Sequence, residues 1–369
     1  MDAPLLDVNF YDYDGWRCYS YAKEDFLALT AMPEQPQNEG FIAQGWNWTL
    51  EQAQAHVRKY RYLEVGAYCS TADGKTRLYI SVPYDGYTLV QLALTPTGLT
   101  ADWGDGTTSV LTNVIWNAHT YVKAGNYVIT IDNPNGTISL GYGSIHSILG
   151  RNAADYEDRN QLLTHVELGA NVAVICDNAF TCCRNLVSIN IPLGVQGRSS
   201  EGFTGTFNQC SSLRYFTVPQ ANESNPLVTS LKFIAQDCYS LKSAPIPYGY
   251  TSIPNASAFA NCRSLRRINL PASLDTIGNN TANSAYGLGS EVHIPVGVTS
   301  IGSLAFANTY CVRAFYLHPT TPPSIQANTF NGIVDSCVFY VPHGCLEAYQ
   351  TATNWAAYAS RMVEMEEEI

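Results

Sequence analysis

The sequence predicts a mainly β, multidomain protein of 369 residues. It divides into a small α+β module over 1–82, a β-sandwich over 83–133, a solenoid of stacked coils over 134–345, and a C-terminal capping helix with an acidic tail over 346–369. Three observations carry that prediction. The second half repeats a Cys-to-Pro spacing, the middle holds a Trp-Gly-Asp-Gly hairpin ahead of an alternating strand, and the first 82 residues mix helix-start signals with short β-rich runs.

The repeat is the strongest signal. The stretches "AFTCCRNLVSINIP" (179–192), "TFNQCSSLRYFTVP" (206–219), "AQDCYSLKSAPIP" (235–247) and "AFANCRSLRRINLP" (258–271) align, with Cys183, Cys210, Cys238 and Cys262 each nine residues before a proline. Degenerate copies end at Pro295, Pro319 and Pro342, and Gly169 fills the proline slot of an earlier one, so the landmarks recur every 23–28 residues over eight turns. Each unit offers one short strand with apolar residues at every second position, such as Ile189/Ile191 and Ile268/Leu270, and a return segment such as "TSIGSLAFAN" (299–308). One unit cannot bury its apolar face, but stacked neighbours share a continuous core. The recurring Cys then form an inward ladder, and at about 4.8 Å per coil the body is roughly 40 Å long.

These units closely resemble the BspA-type leucine-rich repeat family over about 160–345, and the ending "VFYVPHGCLEAYQTATNWAAYASRM" resembles that family's terminus of a last strand and a capping helix. The resemblance implies a role in adhesion, on bacterial surfaces or in phage-encoded proteins, and supplies no catalytic residues. Alternation along the strands places Asn190, Thr217, Asn269, His293, Tyr316 and Tyr340 in one outward row. That row is either a glycan-binding face, with rings stacking on sugars and amides bonding to hydroxyls, or a solvated sheet face.

In the middle, "LTADWGDGTTSVLTNVIWNAHTYVKAGNYVITI" contains W-G-D-G, H-T-Y and A-G-x-Y-x-[IV]-x-I. These pieces resemble the PKD-type immunoglobulin-like domain, usually a spacer or binding module, and here one that sets the solenoid away from the N-terminal module. Asp102 and Asp105 are turn caps by this reading, because two carboxylates are few for a Ca²⁺ cage.

The N-terminal "NFYDYDGWRCYS" (9–20) resembles the nucleophile motif of haloacid-dehalogenase-type phosphatases, with Asp12 as nucleophile and Asp14 as general acid/base. That fold needs βαβ crossovers, a Lys and further metal ligands, for which the module has no room, so Asp12, Asp14 and Gly15 are expected to form a hairpin turn. "SYAKEDFLALTAMP" reads as a short Ser-capped helix ending before Pro33, and "TLEQAQAHVRKY" (49–60) as a second helix opened by a Thr49/Gln52 capping box. "YLEVGAYCS" and "TRLYISVP" read as a strand pair. The segments "FYDYDG", "SYAKEDFLALTAMP" and "EGFIAQGWNWTLEQAQAHV" are similar to a module that precedes leucine-rich repeats in gut-bacterial prophage and phage virion proteins. That likeness implies attachment or oligomerisation, with Phe41, Trp46 and Trp48 as the interface; alternatively these rings are the module's own core.

Composition narrows the function classes. Lys plus Arg total 20 against 31 acids, a net charge of −11, which argues against a nucleic-acid binder and against docking on an anionic membrane. The sequence shows no apolar run long enough to span a bilayer and no secretory signal. Eleven Cys without zinc-ligand spacing read as buried free thiols, which suits folding in a reducing cytoplasm. The seven His are scattered, and neither a G-x-S-x-G elbow nor a phosphate loop appears, so no enzyme activity, metal or cofactor is expected. The leading expectation is a non-enzymatic phage tail or head fibre, assembled in the host cytoplasm and acting extracellularly on a bacterial surface or host glycan. A homotrimer bound to other virion proteins through the N-terminal module is the favoured assembly. The alternatives are a bacterial cell-surface adhesin and a purely structural capsid- or tail-decorating protein.

Overall fold

The computed structural model describes residues 6–133, 136–144, 146–150, 157–198, 203–219, 231–232, 234–254 and 256–366; the last residues of the acidic tail lie outside them. The first hairpin follows from its turn. Asp12 Oδ1 accepts from the backbone N–H of Asp14 (3.0 Å) and Trp16 (2.8 Å), folding β1 (Val8–Tyr11) back on β2 (Arg17–Tyr21). The Asp12 carboxylate is thereby a turn cap, as the sequence argument requires. Gly15 sits at φ 77°, and a Cβ there would lie 2.6 Å from Cβ of Tyr215, so both the turn and a close approach demand glycine.

The short helix α1 spans Lys23–Leu27, but Ser20 is not its cap. Ser20 lies in β2 and bonds to Asn9, Ala22 holds the cap position, and the Lys23 N–H is taken by Asp7 Oδ2 at 2.9 Å. The Thr49/Gln52 capping box forms as expected at the start of α2 (Leu50–Tyr60), with both reciprocal bonds at 3.2 Å. β3 (Phe41–Trp46) and β4 (Leu63–Thr71) complete a sheet of order β2-β1-β4-β3, and Phe10, Phe26, Trp48, Val57 and Val65 form its core.

The two strands expected to pair enter different sheets. β4 stays in the module, whereas β5 (Thr76–Val82) pairs with strand 125–132 of the middle β-domain on one side and with strand 163–167 of the first coil on the other. A second sheet does the same: strand 94–95 of the β-domain pairs with 138–140, which continues in parallel into 172–175 and 196–197. One apolar cluster runs from Tyr68 to Met362 through both parts. The middle β-domain is thus the N-terminal lid of the solenoid and does not hold it at a distance. The physical reason is the first coil's strand edge, whose unpaired N–H and C=O groups need partners.

Along the solenoid, strands stack in parallel and in register. One row runs through 291–294, 314–317 and 338–341, and another through 252–253, 276–277, 300–301 and 324–325. The Cys ladder forms as the repeat implies. Sγ of Cys210 donates to Phe180 O at 3.0 Å, Cys238 to Phe207 O at 3.0 Å and Cys262 to Ala235 O at 3.1 Å, so each thiol fills the core and also satisfies a carbonyl one coil back. All eleven Cys are free thiols. The far end is closed by more than a helix: α-helix Leu346–Thr351 and 3₁₀-helix Trp355–Arg361 lead into strand Met362–Glu364, which adds to strand 338–341. Trp355 is fully buried there and donates from Nε1 to Pro323 O at 2.7 Å.

Candidate recognition surfaces

The outward row named from the sequence is not open along its length, because β4 crosses it. Asn190 Nδ2 donates to Cys69 O (2.8 Å), Thr217 Oγ1 to Ala67 O (2.7 Å) and Asn269 Nδ2 to Glu64 O (2.6 Å), while Glu64 N–H donates back to Asn269 Oδ1 (3.1 Å). Backbone joins in, with Thr71 N–H on Leu168 O (3.0 Å) and Asn47 Nδ2 on Pro245 O (2.7 Å). Asn190, Thr217 and Asn269 are therefore buried and are not an exposed ligand face. A central strand flanked by β1 on one stretch and β3 on another leaves backbone polar groups unpaired, and buried ones must find partners. The amides and hydroxyl of the solenoid row supply them.

Close approach is built into the contact. A Cβ on Gly66 would stand 2.5 Å from Tyr215 Oη and 2.9 Å from Thr217 Oγ1. Among the described residues Glu64 is the one Asp, Glu, Lys or Arg that is buried, and its carboxyl group accepts from Tyr11 Oη (3.1 Å) and from Ser243 Oγ. Burial raises its pKa above the ordinary carboxylate value, opposed by those hydroxyls and by Arg267 and Arg266.

The row is part-exposed at Tyr316 and Tyr340, while His293 is packed under Tyr62 and His318. His293, Tyr316 and Tyr340 stack ring on ring, at 4.6 Å and 6° for the first pair and 4.6 Å and 8° for the second. Tyr316 therefore has a ring on each face, whereas Tyr340 has one on a single face. His293 Nδ1 lies 3.1 Å from His318 Nε2, and Tyr60 of α2 packs on His318 at 4.8 Å. Burial holds His56 and His293 down at about 3 and His318 at about 4, so all three are neutral at pH 7.

The aromatic residues named in the module have structural work. Trp48 is buried in the module core, and Trp46 packs against it and donates from Nε1 to Pro33 O at 2.8 Å. Phe41 is half-buried against Tyr13, with ring centroids 4.4 Å apart. Trp46 and Trp48 therefore do not form an external aromatic interface. In the β-domain, Asp102 caps Gly104 N–H at 2.9 Å and Asp105 caps Thr107 N–H at 3.0 Å while also meeting His119 Nε2 at 2.7 Å, the turn roles expected of both.

Sequence reasoning missed a different surface. The residue after each Cys slot points out at the edge of the coils, and in four consecutive coils it is Tyr239, Arg263, Tyr286 and Tyr310. The three tyrosines are 41%, 37% and 48% exposed, values at which a ring is available to a partner. The Arg263 guanidinium lies 4.8 Å from the Tyr239 ring and 5.7 Å from the Tyr286 ring, and Tyr286 stacks on Tyr310 at 5.2 Å. The signal was present in the repeat alignment, one position beyond the Cys, but only the turn geometry shows that it faces solvent.

Residues 156–225 and 206–336 match the BspA type leucine rich repeat region, in 6 copies. Two solved structures are also similar. A leucine rich cell surface protein from Faecalibacterium prausnitzii A2-165 is 18% identical, over 57% of this chain and 67% of that chain, with a TM-score of 0.34. A leucine-rich repeat protein from Bacteroides ovatus ATCC 8483 is 16% identical, over 63% of this chain and 73% of that one, with a TM-score of 0.36. No curated protein matches. The stretch 156–336 thus matches a leucine-rich repeat region of the BspA type, and its described residues form the stacked parallel coils set out above.

Proposed function

We propose that this protein is a non-enzymatic adhesin of the BspA-like surface type, which recognises a bacterial or host surface through its repeat domain. The observation that carries the reading is the exposed Tyr239–Arg263–Tyr286–Tyr310 ladder, a stripe that stacking of the coils does not require. Tyr and Arg are the residues most enriched where a few side chains dominate binding energy. The virion-fibre reading rests on motif order in the N-terminal module, whose tryptophans are engaged in its own core, whereas the family match speaks for the surface-protein alternative. Tyr316 and Tyr340 remain a secondary contact through their hydroxyls.

The test is binding of fluorescently labelled full chain to intact bacteria and to immobilised mucin, compared with the triple variant Tyr239→Ala, Tyr286→Ala, Tyr310→Ala. Loss of about a hundredfold in apparent affinity is expected, since three anchors at about 1 kcal/mol each remove about 3 kcal/mol. Retention of full binding by a folded triple variant refutes the assignment.

A further inference from the structure

A second surface feature joins the first hairpin to the solenoid. Between them lies a cavity of about 290 Å³, into which the hairpin sends Trp16 and Arg17 and three consecutive coils send Arg214, Lys242 and Arg266. The three basic residues hold one repeat position, immediately after Leu213, Leu241 and Leu265. Lys242 N–H donates to Arg214 O and Arg266 N–H to Lys242 O, both at 3.0 Å, which fixes them on neighbouring coils. Their side chains therefore start about one strand spacing, ~4.8 Å, apart.

Among the described residues none of Arg214, Lys242 and Arg266 has an ion pair or side-chain hydrogen bond, and the buried Glu64 acts electrostatically on Arg266 alone of the three. The chain as a whole carries 31 acids against 20 bases, yet four of those bases border this single cavity with Asp14 as the one carboxylate on its lining. Glu64 lies behind Ser243, accepting its hydroxyl, and does not line the cavity. At the rim stands Trp16, 73% exposed and the most exposed aromatic side chain of the described residues. The turn that fixes it is the Asp12 cap and the Gly15 bend, so the Asp-x-Asp-Gly stretch positions an indole and a guanidinium over a basic ladder.

We propose that this cavity binds the carboxylate or sulfate group of an acidic saccharide, with Arg214, Lys242 and Arg266 holding the anion and Trp16 covering the sugar ring. Guanidinium groups match planar oxyanions bidentately, and an exposed indole offers an apolar face to the C–H side of a pyranose. The site is composite, since neither the module nor the repeats alone encloses it. It rests on the surface-recognition reading for the source of the ligand, and it is separate from the tyrosine ladder on the coil edge.

The experiment is calorimetric titration of the full chain with five probes: a hexuronate-containing tetrasaccharide, its sulfated form, a neutral glucose tetrasaccharide, inorganic sulfate, and a short single-stranded oligonucleotide. Binding of one or both acidic saccharides is expected, weakened by salt, with the carboxylated and sulfated forms telling which anion is preferred. The triple variant R214Q/K242Q/R266Q, at three exposed positions, is expected to keep the wild-type thermal midpoint and to lose about tenfold or more in affinity. W16A is expected to weaken saccharide binding while leaving inorganic sulfate unaffected. The proposal is overturned if neither acidic saccharide binds, if the neutral saccharide or the oligonucleotide binds equally well, or if the folded triple variant binds as wild type. Adhesion of that variant to cells, tested in parallel, separates the two readings: retained adhesion with lost saccharide binding sinks this site as the adhesive one and leaves the surface reading standing.

Discussion

The amide of Asn269 closes a two-bond clamp on the backbone of Glu64, and Asn269→Ala should open it. Nδ2 donates to Glu64 O at 2.6 Å and Oδ1 accepts from Glu64 N–H at 3.1 Å, with both residues buried. Alanine leaves a donor and an acceptor without partners in a site closed to water, at about 1–3 kcal/mol each, so about 2–6 kcal/mol in all. Asn269→Asp is the sharper control. It keeps the acceptor for Glu64 N–H but turns a carboxylate toward Glu64 O and sets it near the buried Glu64 side chain, so it should cost at least as much as alanine. The assay is hydrogen exchange at the Glu64, Cys69 and Thr71 amides, together with denaturant unfolding. Protection should fall first at Glu64 and then along β4, before the coil amides respond, because the module is anchored by that strand. A loss below about 0.5 kcal/mol, with Glu64 protection unchanged, refutes the claim that the row is a docking ladder.

Three further predictions concern buried groups of the N-terminal module. Glu64 has its folded pKa raised by burial, so it binds protons more readily folded than unfolded, and its penalty grows as pH rises from about 4.5 through the folded value; Glu64→Gln should stabilise the protein at pH 7 and remove that slope from a melting-temperature profile. The histidines act in the opposite sense: with His56 at about 3 folded against 6.5 unfolded, stability is full above pH 6.5 and is lost on acidification, on the order of 2 kcal/mol from His56 alone between pH 7 and pH 5, so the Glu64→Gln background should show a steeper acid loss than wild type. Gly66→Ala places a Cβ 2.5 Å from Tyr215 Oη and should cost about 1–3 kcal/mol by denaturant unfolding, with partial recovery when Tyr215→Phe removes that oxygen.

Much of the fold was legible because the repeat is a local pattern. The nine-residue Cys-to-Pro offset fixes each coil's strand, turn and thiol, and the thiol ladder follows once coils stack in register. The Asp12 turn, the Thr49/Gln52 box and the Asp102 and Asp105 caps were legible for the same reason, since each bond spans four residues or fewer. The site was less legible. Period-2 alternation says that Asn190, Thr217 and Asn269 point away from the coil interior, and they do; it cannot say whether water or another strand waits there. The partner is β4, and the Asn269–Glu64 contact spans 205 residues of chain.

The sequence by itself determined the solenoid, its period, its thiol core and the hairpin that opens the chain. Tertiary structure alone decided that β5 leaves the module to seal the first coil, that β4 lies across the strand row, and that Trp16 meets Arg214, Lys242 and Arg266 around one cavity. The reason is physical. A coil's shape is set by neighbours a few residues away, whereas the choice of surface that satisfies an unpaired strand edge depends on which distant polar groups can be brought within hydrogen-bond reach.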